Sequence, residues 1–410
     1  MSVCPQCDQP LKTEPTFPSW CLSCDWNVVR DGGRREHARP ARLSARLVRG
    51  LHEDVLRSEK EPGGLPAGTA RVAGYALACL THLLTPALLL LAGYLLTRGS
   101  LFAVLPALVA LDLAWLLRPR PAPFPGGAQP LTREDAPDLY ALLDRIGTEI
   151  KAPRTDLVAV SGEVNASFST YGWRRRRLVE IGYPLWAILT PQERVALLAH
   201  EMAHASNGDD RHGLVVGSAL HSLTVLRELT TFGWEPGDGL SRWLAESLLA
   251  LLGLPVRGLI AAMELLLHRA SQRAEYRADA MAARVAGVPA TASLLDATVT
   301  RAASALWFLE TSALTVKPER LWTALRTSAD AVPDSELERR RRAARLEELR
   351  VDNTHPPTYL RMEWVATLPY QEARVAAGDA ARGADGAELD AAASRVARAI
   401  RENAQSARYR

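Results

Sequence analysis

Two histidines and a glutamate in the stretch LLAHEMAHASNGDD could form a metal-dependent hydrolytic site. His200 and His204 are four residues apart, so on a helix they share one face and can bind one ion at about 2.0–2.1 Å. Glu201 is adjacent to these ligands but not among them, which suits a general base for a zinc-activated water. The HExxH pattern also occurs by chance, and a catalytic zinc usually has a third protein ligand.

A candidate third ligand lies in the predicted helical stretch SQRAEYRADAMAARVAG. Glu275 could supply a carboxylate oxygen, and Asp279, on the same helix face, could hold the distal N–H of a ligating histidine. Spacing alone equally allows a solvated acidic edge, because Arg273, Arg277 and Arg284 could pair with these carboxylates.

Four of the five cysteines lie in two CxxC pairs, which predict a zinc ribbon over residues 1–29. Together, Cys4, Cys7, Cys21 and Cys24 can supply four thiolates to a structural Zn²⁺. So short a domain needs the metal to fold. Four unrelated cysteines are the alternative, while a redox CxxC is disfavoured because no βαβ pattern surrounds it. No signal peptide is visible, which indicates a cytoplasmic N-terminus with reduced thiols.

Residues 30–71 form a predicted basic linker, and residues 72–117 a transmembrane helical hairpin. The run at 72–96 is long enough to cross a ~30 Å hydrocarbon core. The run at 101–117 is near the lower length limit and contains Pro106 and Asp112. We expect Asp112 to face the partner helix, to be protonated or to lie near the interface. One span followed by a buried helix is the alternative.

The basic flanks predict the orientation of this hairpin in the bilayer. Residues 30–49 of the linker carry seven arginines, and Arg118 and Arg120 follow the second span. Both ends should therefore face the cytoplasm. Residues 118–130 then form a proline- and glycine-rich linker that can continue neither helix nor strand.

Residues 131–370 are predicted to be the catalytic-type domain. A helix starts this domain, and the runs DLVAV and LVEIG predict a small sheet. Thr190, Pro191 and Glu193 predict a capped start for the HEMAH helix. The apolar stretches within 214–267 contain charges and a proline, which favours interfacial or core helices over spans. Residues 371–410 form a charged, Ala/Arg-rich tail, and this tail and the preceding ERRRRAARLEELR are predicted as solvated helix.

The strings HEMAHASNGD, AEYRADAMAARVAG and THPPTYLR, in this order, resemble the HtpX-like membrane zinc metallopeptidases and their CAAX prenyl endopeptidase relatives. The resemblance implies a gluzincin domain, mainly α with a small β-sheet (α+β). It implies that His200, His204 and Glu275 bind zinc and that Glu201 is the catalytic glutamate. The ribbon is an addition to the minimal family pattern, and the stretches between the two metal motifs are less hydrophobic than the spans expected there.

The resemblance also implies roles for residues around the metal. Asp279 matches a carboxylate that supports a ligating histidine, and His355 matches a histidine that faces the oxyanion. Arg361 matches the arginine that follows this histidine in the family. Asn165 and Ala166 match a segment beside the substrate, where a strand edge could pair with an extended peptide. From its neighbours alone, His355 could equally be a turn residue fixed by two prolines.

These features predict a membrane-anchored zinc endopeptidase with one catalytic and one structural Zn²⁺. We expect a multi-pass protein of the cell membrane whose active site and ribbon face the cytoplasm. Its expected substrates are membrane proteins, misfolded proteins or peptides. The alternative is a non-catalytic zinc scaffold whose ribbon and basic linker bind protein or nucleic acid, but Glu201 and His355 favour the enzyme. We expect no nucleic-acid partner, because the net charge is only +3 and a single ribbon offers no clear base-reading helix. The 48% apolar composition excludes a disordered chain.

Overall fold

A computed structural model places most of the chain in helices, with two small sheets, as the α+β prediction requires. The structure describes residues 2–29, 49–50, 52–53, 56, 69–206, 213–234, 237–346, 356–378 and 387–408. Most of the predicted basic linker therefore lies outside the described residues.

The N-terminal unit is a two-stranded antiparallel sheet with two cysteine-bearing turns. Strand β1 (Leu11–Lys12) pairs with β2 (Trp20–Cys21). Asp8 and Asp25, each next to the second cysteine of a CxxC pair, have positive φ of 58°. Their amides donate to the carbonyl oxygens of Cys4 and Cys21, so the two turns have the same form and bring the cysteines together.

Two long apolar helices follow, α1 (Thr69–Thr97) and α2 (Leu101–Leu117), packed against each other as a hairpin. Gly99, with φ of 61°, lies in their short connection. Many leucines of both helices are exposed, as expected for surfaces that face lipid. Asp112 is exposed near the end of α2 and so does not face the partner helix. Of the three predicted possibilities for Asp112, the two that remain are a protonated side chain and a position near the membrane interface.

Three further helices, α6 (Ser218–Leu229), α7 (Leu240–Leu252) and α8 (Leu254–Ala286), carry the apolar stretches between the metal motifs. Residues of α6 and of the first half of α8 pack around Ala78 of α1. None of the residues of α7 is buried, so a core position is wrong for this helix. Within the part of the chain that the structure describes, two helical segments could cross a membrane by length and composition alone, Val72–Thr97 and Leu240–Ala286.

The predicted small sheet is present and has four strands. These are β3 (Gln129–Leu131), β4 (Leu157–Ser161), β5 (Ala166–Tyr171) and β6 (Arg176–Gly182). Their order is β3-β4-β6-β5, with β4 and β6 parallel and the other pairs antiparallel. Strand β5 is therefore an edge strand.

Further α-helices are α3 (Pro137–Ile150), α4 (Tyr183–Ile188), α5 (Pro191–Ser206), α9 (Val288–Val299), α10 (Arg301–Ser312), α11 (Leu321–Asp330), α12 (Asp334–Leu346), α13 (Thr358–Thr367) and α14 (Ala387–Ala407). The main core contains residues of the four-stranded sheet, of the end of α8 and of all these helices except α12 and α13. The solvated helix predicted for the C-terminal tail is wrong, because α14 packs in the core through Leu389, Ala392, Ala393, Val396 and Ala397. Glu388 also accepts hydrogen bonds from two amides that start α3.

A solvated helix is also wrong for the arginine run, as far as it is described, because α12 connects the N-terminal cysteine-bearing unit to the helices around the four-stranded sheet. Arg342 donates to Leu22 O and Asp25 at 2.7 Å, and Arg339 donates to Val28 O. On its other side Arg341 forms an ion pair with Asp296 of α9 at 2.6 Å. Neighbouring arginines of α12 thus contact the N-terminal unit on one side and α9 on the other.

Candidate metal centre

Helix α5 is fixed at its start by the predicted capping box. Thr190 N donates to the Glu193 carboxylate at 2.7 Å, and Glu193 N donates to Thr190 Oγ1 at 3.4 Å. Ser293 and Arg301 donate to the same buried carboxylate, which ties α5 to α9 and α10. One face of α5 lies in the core, so its histidines have a defined direction.

His200, His204 and Glu275 converge, with their candidate ligand atoms all within 4.8 Å of one another. The Nε2 atom of His200 lies 3.4 Å from Oε2 of Glu275, and the Nε2 atom of His204 lies 3.4 Å from Oε1 of the same carboxylate. Donors arranged tetrahedrally around Zn²⁺ at about 2.05 Å would be roughly 3.3 Å apart. Two imidazoles and one carboxylate at these separations fit a zinc site. The solvated acidic edge is wrong, because Glu275 is 3% and Asp279 1% exposed.

Asp279 and Arg361 form the support of this site. Asp279 Oδ1 lies 3.0 Å from His200 Nδ1, which leaves Nε2 for a metal. Arg361, 8% exposed, donates to both oxygens of Asp279 at 2.8 and 2.6 Å and lies 3.2 Å from Glu275 Oε2. Burial alone would lower the pKa of His200, but the hydrogen bonds with Asp279 and Glu275 outweigh it and raise this pKa to about 10. A metal ion at this site would compete with a proton for His200 Nε2.

Glu201 lies beside the metal donors and faces the edge strand of the sheet. Its Oε2 accepts a hydrogen bond from the backbone N–H of Phe168 in β5 at 3.2 Å. Because backbone groups alternate along a strand, Ala166 and Thr170 present their N–H and C=O on the same outer edge as Phe168. The general-base candidate therefore lies next to the outer edge of β5, which pairs with no further strand among the residues that the structure describes.

Asn165, just before β5, is held by the end of β6. Gly182 N donates to Asn165 O at 2.8 Å, and a Cβ on Gly182 would lie 2.2 Å from that oxygen. Only glycine allows this approach. The Asn165 side chain is exposed and Ala166 is buried.

The other predicted site residues have different outcomes. His355 lies outside the described residues. The resemblance groups Arg361 with the substrate side, but in the structure Arg361 forms ion pairs with the carboxylates of Glu275 and Asp279 in α8.

The contact of the Phe168 amide with Glu201 was not predicted, because a backbone donor has no side-chain signal. His52 of the linker was also missed; its Nδ1 lies 3.0 Å from the hydroxyl of Tyr276, beside Glu275.

The ribbon cysteines form a second candidate site. The sulfurs of Cys4 and Cys24 are 3.6 Å apart and those of Cys7 and Cys21 3.5 Å, and all four lie within 4.8 Å. Four thiolates around Zn²⁺ at about 2.3 Å would be roughly 3.8 Å apart. All four are free cysteines, and the separations fit a tetrahedral ion.

Replacing Arg361 by leucine should strongly destabilise the domain. It would leave two buried carboxylates without their cation, and breaking a buried ion pair in this way costs about 3–5 kcal/mol. We expect a lower melting temperature for Arg361→Leu in detergent solution, measured by circular dichroism. Arg326→Leu, at an exposed position, is the matched control. Equal melting of the two variants would contradict this role of Arg361.

The HEMAH helix joined by a glutamate of a second helix defines the class of metallopeptidases that bind their metal with two histidines and one glutamate. The chain belongs to peptidase family M48, whose model matches residues 134–377.

Three curated relatives illustrate this similarity. The chain is 28% identical over 154 residues to "Protease HtpX homolog" of Syntrophobacter fumaroxidans, covering 37% of this chain and 55% of the relative. It is 26% identical over 166 residues to the protein of that name from Persephonella marina, covering 40% and 56%. It is 29% identical over 173 residues to "Protease HtpX homolog 2" of Methanosarcina mazei, covering 40% and 55%. The chain thus spans about half the length of these relatives.

Proposed function

We propose that this protein is a membrane-anchored zinc endopeptidase that hydrolyses peptide bonds in protein or peptide substrates, with membrane or misfolded proteins as the substrate class. The observation that carries the proposal is the convergence of His200, His204 and Glu275 beside Glu201, which is not a member of that donor set. A scaffold would need the donors but not the glutamate placed between them and a sheet edge.

When bound, zinc would supply Lewis-acid chemistry, lowering the pKa of water and polarising the substrate carbonyl. Glu201 then acts as the general base, since its carboxylate is held in place by the Phe168 amide and can take the proton of the attacking water. Asp279 and Arg361 position the ligands by holding His200 and Glu275. His355, by resemblance, is the donor to the developing oxyanion.

The substrate would bind as an added strand along β5. The outward backbone groups of Ala166 and Thr170 and the C=O of Phe168 can pair with an extended peptide, while the Phe168 N–H holds Glu201 beside the middle of this edge. Asn165 and Ala166 form the end of the edge that β6 anchors. Any extended segment could pair in this way, so the mode suits unfolded protein chains.

We place the active site at the cytoplasmic surface of a multi-pass membrane protein. A Cβ on Gly74, near the start of α1, would lie 2.9 Å from Leu267 of α8, so these helices pack closely at that level. Glu275 lies about two turns further along α8, roughly 12 Å beyond it. The metal site is therefore just past the end of the hairpin that the arginine flanks assign to the cytoplasm.

Metal removal tests the proposed activity directly. Purified full-length protein treated with a chelator should lose casein hydrolysis, and added Zn²⁺ should restore it, because the three donors provide one metal position. Hydrolysis is measured as release of labelled peptides, with metal content determined on the same samples. Cleavage that continues in demonstrably metal-free protein would disprove the zinc mechanism.

A second, structural zinc in the ribbon should be separable from catalysis. Cys21→Ser should remove one of two zinc ions per chain, since the two donor clusters share no residue, while casein hydrolysis remains. Metal analysis and the peptide-release assay measure both effects. Ser23→Ala, between two ribbon cysteines, is the control. If folded Cys21→Ser protein lost all activity, the ribbon would be coupled to the active site through α12.

A further inference from the structure

The turn between β5 and β6 is strongly basic and exposes a tryptophan. Gly172 and Arg175 have positive φ, and Arg175 N donates to Gly172 O at 3.0 Å, which defines a tight turn. Trp173 is 83% exposed. Arg174 and Arg176 are also exposed, and neither forms an ion pair with any residue that the structure describes. We call Trp173, Arg174 and Arg176 the basic tip.

The basic tip borders an open cavity of about 730 Å³. This volume lies within the range of small-molecule sites, roughly 300–1,000 Å³. The cavity is lined by Pro153, Asp156, Leu157, Tyr171 and Arg174–Arg177. Its single acidic side chain, Asp156, is bound by Arg177 at 2.9 Å. Arg174 and Arg176 therefore give the cavity an excess of positive charge, which favours an anion.

The basic tip is attached to the segment that leaves the apolar hairpin. Gly172 N donates to Ala122 O at 2.9 Å, and the ring of Tyr171 packs edge-on against Phe124 at 5.4 Å. Ala122 follows the end of α2 by only a few residues, a distance of at most roughly 18 Å. The turn is thus held close to the end of α2.

The end of α2 itself has the composition of a membrane–water interface. Arg118 and Arg120 lie over the ring of Trp115, at 4.1 and 5.0 Å from its centre. Tryptophan and arginine together are typical of the region where a chain leaves the hydrocarbon core on the cytoplasmic side. The basic tip continues this belt of tryptophan and arginine onto the peptidase domain.

We propose that the basic tip and its cavity bind the headgroups of anionic phospholipids. Guanidinium groups match phosphate oxygens in charge and in paired hydrogen-bond geometry, and an exposed tryptophan suits the headgroup layer. The inference rests on the proposed membrane attachment. Because the turn is continuous with β5, lipid binding there holds the substrate-pairing edge at the bilayer surface.

Hydrogen–deuterium exchange in lipid nanodiscs tests this site. The full chain carrying Glu201→Gln is reconstituted with phosphatidylcholine alone or mixed equally with phosphatidylglycerol, so the result does not depend on proteolysis. Amides of residues 170–177 should exchange at least about fivefold more slowly in the anionic discs, the factor expected for one arginine at an anionic surface. Arg174→Glu with Arg176→Glu should abolish the difference, and lysine at both positions should retain it.

Arg320→Glu with Arg326→Glu is the matched control, with the same charge change at exposed positions. Helix α11, which contains Arg326, packs against α4, at the opposite end of β6 from the basic tip. This variant should keep the protection. Equal exchange in both kinds of disc would overturn the proposal, as would equal protection in phosphatidylcholine discs by inorganic phosphate or an oligonucleotide. If the protein with the native Glu201 showed no proteolysis while the lipid protection was intact, the result would count only against the proposed peptidase activity.

Discussion

Glu201→Gln should retain zinc and lose proteolysis by about 10²–10⁴-fold, the contribution typical of a general base. The amide has nearly the shape of the carboxylate and can still accept the hydrogen bond from the Phe168 amide, but it cannot take a proton from water. The metal donors His200, His204 and Glu275 are unchanged. Labelled-casein cleavage and zinc content, measured on the same preparation, separate loss of the base from loss of the metal.

Glu163→Gln is the matched control for this experiment. Glu163 is an exposed glutamate in the loop before β5, and it is not part of the donor cluster. Its replacement should leave cleavage and zinc content at wild-type levels. Undiminished casein cleavage by Glu201→Gln would remove the general base from the proposed mechanism, whatever the metal content.

The parts of the site that the sequence predicted correctly depend on local spacing. Thr190 and Glu193 are three residues apart, and such a pair caps a helix in any context, so the start of α5 was predictable. The common face of His200 and His204 follows in the same way from helical geometry. Whether Glu275 joins them depends on how α8 packs against α5, which spacing within one helix cannot determine. The sequence offered Glu275 as a candidate, the resemblance favoured it over a solvated acidic edge, and the structure brings it within 4.8 Å of both histidines.

The sheet was predicted in part, and the strand that faces the candidate site was not predicted from its residue pattern. Strands β4 and β6 are the two inner strands and contain the apolar residues of LVAV and LVEI, most of which are buried. Strand β5, ASFSTY, is polar because it is an edge strand and most of its residues are half-buried. Its sequence therefore reads as a turn. Only the resemblance, through Asn165 and Ala166, pointed to this edge.

The C-terminal helix was misread because alanine gives little hydrophobic signal. Its buried residues recur at helical spacing, but three of the five are alanines, set among exposed charged residues. Small side chains allow α14 to lie close to the sheet and to α3. The arginine run of α12 was misread for a related reason. Charged residues usually mark a solvated face, but here they connect two folded units.

Glu275→Ala should remove the catalytic zinc, and with it all detectable proteolysis. The substitution takes away both carboxylate oxygens that lie 3.4 Å from the histidine nitrogens, and leaves two imidazoles, one fewer protein ligand than catalytic zinc sites usually have. Asp279→Asn should have a smaller effect, about 10–100-fold in zinc affinity, because it weakens only the support of His200. Competition with a chromophoric chelator gives both affinities without reference to activity.

Glu264→Ala, an exposed glutamate of the same helix, is the control and should bind zinc as the wild type does. The order of the three variants matters more than any single value. A metal held by His200, His204 and Glu275 requires that Glu275→Ala be weakest, Asp279→Asn intermediate and Glu264→Ala unchanged. If Glu275→Ala kept its zinc and its activity while Asp279→Asn lost both, the third ligand would be Asp279, and His200 would bind through its other nitrogen. The metal would then be held by His200, His204 and Asp279, without Glu275.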